Sequence, residues 1–183
     1  MLFWIIFAVL LAGIIFTYND LVRKSNQVKE TFSLMDVYLK QRWDLIPNLV
    51  ETAKQYMGHE RSVLENLTAL RSRVNAPGLN NEAKIGLSNE MQQTVHQLFL
   101  SAESYPVLQS NTLFSQLQQT WTGVEENIAA ARRTYNAAVT RFNTFQQQFP
   151  VNLLNALLGF VPAPLLETPP QERGNISAQE LFQ

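Results

Sequence analysis

The residues of this chain whose types and spacing bear on chemistry fall into two clusters and one isolated pair. Arg42, Asp44 and Asn48 surround Pro47 in one stretch, and Arg132, Tyr135, Asn136 and Asn143 recur along a later one. His59 and His96 are the two histidines. His59-Glu60 begins like the zinc-binding H-E-x-x-H, but Val63 stands where the second imidazole is needed, so no metal is gripped across a helical turn. Cysteine is absent, which removes disulfides, thiolate nucleophiles and cysteine-based zinc sites. No Gly-rich phosphate loop occurs, nor any Ser–His–Asp spacing that pairs a nucleophile with a base. The expectation is a protein that is not an enzyme, with no catalytic, cofactor-binding or metal-binding residues and no cofactor.

What these clusters offer instead is polar recognition. Arg42 falls on an apolar seam, where it either pairs inside the bundle and fixes register or carries its charge to water on its long stem. Asp44 and Asn48, four apart, share the helix face turned away from that seam. That face is ordinary solvated surface, or the polar contact of a second subunit. Arg132, Asn136 and Asn143 line the flank of another apolar stripe, and buried amides there more often orient helices than hold a ligand.

The elements that must position them are helices. From Tyr18 to Val74, apolar side chains recur at alternating steps of three and four over about eight heptads, the pattern of a coiled-coil helix roughly 85 Å long. Pro47 lies in this run without disturbing its phase, which predicts a bent continuous helix rather than a new helix starting there. Gly58 weakens the helix without shifting the phase. Asn75-Ala-Pro-Gly-Leu-Asn-Asn81 is a turn. A helix from about Asn81 to Ser104 follows, then Pro106. Ser110 or Asn111 caps a third long helix whose stripe runs from Phe114 through Trp121, Ile128, Tyr135 and Phe142 to Phe149. No stretch alternates with period two.

The first sixteen residues, MLFWIIFAVLLAGIIF, carry no charge and are long enough, with Thr17 and Tyr18, to reach across a bilayer. They lack the basic start and the small-residue cleavage site of a secretory signal. The reading is a membrane anchor over residues 1–17 in contact with lipid. Arg23, Lys24 and Lys29 follow it and no basic residue precedes it, which places the following domain in the cytoplasm. The chain of 183 residues holds 14 basic and 15 acidic side chains, so no field favours nucleic acid. The expected fold is all-α: a single N-terminal transmembrane helix continuing into an elongated antiparallel up-and-down helical bundle with coiled-coil packing. The bundle covers 18–150, with a short apolar segment at 151–166 and a disordered polar tail at 167–183.

The stretch R-W-D-L-I-P-N-L-V-E-T at Arg42–Thr52, with Tyr56 and His59-Glu60 after it, resembles the LemA family of bacterial membrane proteins. So do Ala131-Arg132-Arg133-Thr134-Tyr135-Asn136-Ala137-Ala138-Val139 with Phe142-Asn143, and Phe149-Pro150 with Gly159-Phe160 and Pro162. Trp43 departs from the small residue usual between the Arg and the Asp. The resemblance implies a single-pass protein of the bacterial inner membrane without established catalytic activity, and a membrane metalloprotease of the quality-control type as partner. It carries Arg42, Asp44, Pro47, Asn48, Arg132, Tyr135, Asn136 and Asn143 over as fold or assembly determinants. The glutamine-rich faces of the third helix suit helix–helix contact. The function expected is therefore a scaffold or adaptor that forms homo-oligomers, the alternative being a stress relay acting through a kink at Pro47.

Overall fold

The computed structural model describes residues 1–167, and among these every regular element is a helix. They are α1 (Leu2–Lys54), α2 (Arg61–Val74), α3 (Asn81–Ala102), α4 (Pro106–Gln109), α5 (Thr112–Gln147) and α6 (Val151–Leu158). The all-α class read from the heptads is thus what forms. All but the first residue of the tail expected at 167–183 lies outside the described residues. The chain forms two units, one of Met1–Met35 with the residues from Ala130 onward, the other of Asp36–Ala129. Helices α1 and α5 contribute to both.

The second unit is built from contiguous chain. Its core takes Leu39, Ile46, Leu49 and Ala53 from α1, Leu67 and Leu70 from α2, Met91, Val95 and Leu98 from α3, and Trp121 and Val124 from α5, all buried. Helices α2 and α3 form a hairpin across the expected turn. Gly78 there takes a φ of 86°, the left-handed region open to glycine, and the Asn80 side chain accepts from the Ala83 amide at 2.8 Å to cap α3. Asn111 caps α5 by accepting from the amides of Leu113 and Phe114 at 2.9 and 3.1 Å.

One feature of α1 corrects the sequence expectation. Pro47 is inside α1, as the unbroken phase required, but the helix ends at Lys54, and α2 restarts at Arg61. A continuous heptad would have driven Tyr56, Glu60 and Val63 into the seam, with a carboxylate among them. Leaving the helix after Lys54 buries Met57 and Leu64 instead, at 2% and 6% exposure. The broken end is tied off by the Tyr56 and Met57 amides, which both donate to the Ala53 carbonyl. The Asn111 side chain then donates to the Tyr56 hydroxyl at 3.1 Å. Avoiding a buried charge outweighs the few hydrogen bonds of one helical turn.

The first unit pairs the start of α1 with the end of α5. Leu21, Val28 and Phe32 of α1 are buried in this unit, as are Tyr135, Ala138, Val139 and Phe142 of α5. Phe32 meets Tyr135 edge-on at 5.7 Å between ring centroids, and Lys24 Nζ lies 5.0 Å from the Phe145 ring. Moving back along α1 therefore moves forward along α5, so the two run antiparallel. The stripe of α5 stops short of its expected end. Phe149 is 80% exposed, and Gln146 takes the buried place one turn before it. Tyr18, the expected start of the α1 seam, is likewise exposed.

Candidate functional site

Arg42 is 2% exposed, which excludes the snorkelling alternative and puts a guanidinium inside the second unit. Its Nη1 donates to the Ser88 carbonyl at 3.2 Å and to the Ser88 hydroxyl at 3.0 Å. Its Nη2 lies 3.4 Å from a Glu125 carboxylate oxygen, and its Cζ sits 5.3 Å from the centre of the Trp121 ring. One side chain of α1 thereby touches α3 and α5 through charge, hydrogen bonds and an aromatic face. Glu125 remains 29% exposed, so the pair keeps one solvated end. Ser88 faces the guanidinium rather than a base, and both histidines are exposed, so nothing here activates a nucleophile.

Asp44 and Asn48 are exposed on the same helix, two residues after the buried Arg42 and Ile46 respectively and so on the opposite face. Val37, seven residues before Asp44 and so on the same face, is 61% exposed. Pro47 is half-buried. The first cluster is therefore split by the helix into a buried Arg and an open polar face.

The second cluster lies in the first unit, and its amides are occupied by backbone. Asn136 Nδ2 donates to the Leu166 carbonyl at 2.9 Å, while the Leu166 amide donates back to Asn136 Oδ1 at 2.9 Å. Asn143 repeats this with Ala163, at 2.8 and 2.9 Å. Between them the Tyr135 hydroxyl donates to the Pro164 carbonyl at 3.1 Å. A planar carboxamide presents the same donor and acceptor as a peptide group, so each Asn pairs with the passing chain as a neighbouring strand would. The spacings match. Seven residues of helix advance about 10.5 Å, and three residues of extended chain advance roughly 9–10 Å. Pro162 and Pro164 keep the segment out of a helix, and Asn155 fixes its start by exchanging two hydrogen bonds with Phe160. Gly159, at φ 73°, makes the turn out of α6.

The role expected for these amides, orienting one helix against another, is thus corrected: they hold an extended segment of the same chain. Arg132 is buried one turn before Asn136. Burial pushes the Tyr135 phenol above its usual pKa. Asn155 was missed by sequence reasoning, although its place in an uncharged run ending in Gly159 marks a helix end. A groove of about 730 Å³ also opens at the break between α1 and α2, lined by Val50, Met57 and Leu64 with Lys54, Arg61 and Glu65 at its edges. No cluster of three potential metal ligands occurs among the described residues.

These observations define a class: a helical bundle led by one long apolar N-terminal helix, whose polar side chains fasten helices and backbone. A family model described as LemA family matches residues 31–179. The chain belongs to the LemA family. It is 25% identical over 184 residues to Protein LemA of Metamycoplasma hominis, covering 98% of this chain and 84% of that one. It is also similar to Magnetosome protein MamQ 2 of Paramagnetospirillum magneticum, at 23% identity over 94% of this chain and 73% of the other. Magnetosome protein MamQ of Magnetospirillum gryphiswaldense is 19% identical over 91% and 70%. None of these names denotes an enzyme.

Proposed function

We propose that this chain is a membrane-anchored, non-enzymatic scaffold or adaptor that self-associates at the bacterial inner membrane. Residues 1–17 lie in lipid and the helical bundle stands in the cytoplasm. The observation that carries the reading is at the start of α1, where an eighteen-residue apolar window is 0% buried. A charge-free helical segment that no described residue covers finds its solvent in a bilayer. Arg23 and Lys24 both lie near Asp20, at 3.4 and 3.7 Å. Acidic residues weigh little in topology, so the three basic residues still favour the cytoplasmic side.

Self-association is placed on the open face of Val37, Asp44 and Asn48. The adaptor role in membrane-protein quality control, beside a membrane metalloprotease, is supported by family resemblance alone. Replacing Asp44 and Asn48 together by alanine tests the assembly. On a solvated face the change costs little, within about 0.5 kcal/mol. Against a second subunit it strands polar partners at about 1–3 kcal/mol each. The expected result is a helical double variant that melts like the parent but loses higher-order assembly, as read by light scattering in lipid particles. Unchanged assembly returns this face to solvent and overturns the scaffold as placed here.

A further inference from the structure

The end of the first unit carries an apolar surface that nothing among the described residues covers. Phe149 is 80% exposed, Leu153 61%, Leu157 86% and Leu158 40%. They lie on α6 and the turn leading into it. No charged residue occurs between Arg141 and Glu167. The polar side chains of α6 are Asn152 and Asn155, and Asn155 is committed inward, to Gln146 Oε1 at 3.2 Å and to Phe160. Ordinary surface helices of soluble proteins present charge outward. This one presents leucine.

Its height relative to the anchor follows from contacts inside the same unit. Lys24 meets Phe145, and Asn155 meets Gln146, so the middle of α6 lies about level with residue 23 of α1. From there to Phe16, the last residue of the apolar run, is about seven residues, or roughly 10 Å of helix. The headgroup layer is about 5–7 Å deep on each side of the hydrocarbon, and a leucine or phenylalanine side chain spans most of the remainder. Phe160 packs back on Phe142 at 6.3 Å, and the segment beyond it runs along α5 toward Asn136, away from the anchor. The α6 turn is thus the membrane-facing end of this antiparallel pair.

We propose that α6 and the preceding turn are a second lipid contact, lying in the headgroup layer beside the anchor with Phe149, Leu153, Leu157 and Leu158 against the acyl boundary. The inference rests on the anchor reading and adds to it. A single transmembrane helix leaves a protein free to tilt. A second, interfacial contact on the same rigid pair fixes the tilt and rotation of that pair at the bilayer. Because the surface is uncharged, the contact is apolar and largely insensitive to salt, unlike a basic interfacial helix.

The absence of cysteine allows single-site labelling of the full chain. Leu10→Cys, Leu157→Cys and Thr134→Cys variants, all at exposed positions, are each labelled with an environment-sensitive fluorophore. They are then reconstituted in phosphatidylethanolamine–phosphatidylglycerol vesicles. Quenching by nitroxide-bearing lipid is compared with quenching by aqueous iodide. Thr134, beside the Tyr135–Phe32 contact and roughly 24 Å from Phe16 along the helix, serves as the aqueous reference. Lipid quenching at positions 10 and 157, undiminished by high salt, with iodide quenching at 134, is the expected result. Lipid quenching at 10 with iodide quenching at 157 overturns the second contact and leaves the anchor standing. A label at 157 shielded from both quenchers means that a protein covers α6, and also overturns it. Iodide quenching at position 10 overturns the anchor reading, and the present inference with it.

Discussion

The two polar clusters solve the same problem with opposite chemistry. Around Arg42 one buried cation gathers a serine, a carboxylate and an indole, and each partner must be the right residue in the right place. Around Asn136 and Asn143 two neutral amides pair with peptide groups, so the partner is defined by backbone and its side chains are free. The first arrangement depends on identity, the second on conformation. A cation loses its full solvation when its partners go, whereas an amide that loses a backbone partner can be rehydrated at the half-exposed flank. The contrast predicts different sensitivities.

The largest effect is expected at Arg42. Arg42→Ala removes the cation, opens a cavity and takes away its hydrogen bonds to Ser88 and its contact with Glu125, a loss of about 3–5 kcal/mol in denaturant unfolding. Converting Arg42 and Glu125 together to leucine should restore most of that stability, because no charge then remains inside. A double variant as unstable as the single one would show that shape, not charge, governs this node.

The next effect separates backbone recognition from side-chain packing. Asn143→Asp keeps an acceptor for the Ala163 amide but sets a carboxylate oxygen against the Ala163 carbonyl, at an expected cost of about 1–3 kcal/mol. Hydrogen exchange at Ala163 and Leu166 should accelerate by at least tenfold. Leu165→Ala, at a position 57% exposed, should leave both unchanged. Equal effects from the two variants would mean that the segment is held by packing.

The smallest effect sharpens the same contact by pH. Burial raises the Tyr135 pKa in the folded chain above its value of about 10 in the unfolded chain. Above that pH the unfolded state releases the proton first, so stability is full below pH 10 and falls as pH rises through the folded-state value. Tyr135→Phe loses the hydrogen bond to Pro164, about 1 kcal/mol at neutral pH, and should show a shallower alkaline decline in melting experiments. An identical alkaline decline would remove Tyr135 from that role.

The helices were legible because burial along them depends only on phase. Leu21, Val28, Phe32, Met35, Leu39, Ile46 and Leu49 could be named from spacing, as could Phe114 to Phe142. Spacing could not show the break after Lys54, where the phase continues but would have carried Glu60 inward. The burial of Arg42 was open for a related reason: its partners Ser88 and Glu125 lie on other helices, and no period within α1 points to them. The Asn136–Asn143 ladder was half visible. Two amides seven residues apart announce a polar stripe, but their partner is aperiodic chain twenty to thirty residues later. The signal that could have joined them is the Pro162-Ala163-Pro164 run, which forbids helix and leaves backbone groups in need of partners.

The first unit is assembled from the two ends of the described chain, and this sets an order on biosynthesis. Helix α1 is made before α5, and the residues that share a unit with Leu21, Val28 and Phe32 belong to the stretch after Ala130, about a hundred residues later. At about 5–20 residues per second, that interval lasts roughly 5–20 s. The contiguous Asp36–Ala129 unit can close during the wait, since its contacts span shorter loops. The first half of α1 cannot. Until that later stretch is made, the first half of α1 displays its apolar stripe uncovered, so the second unit can close before the first.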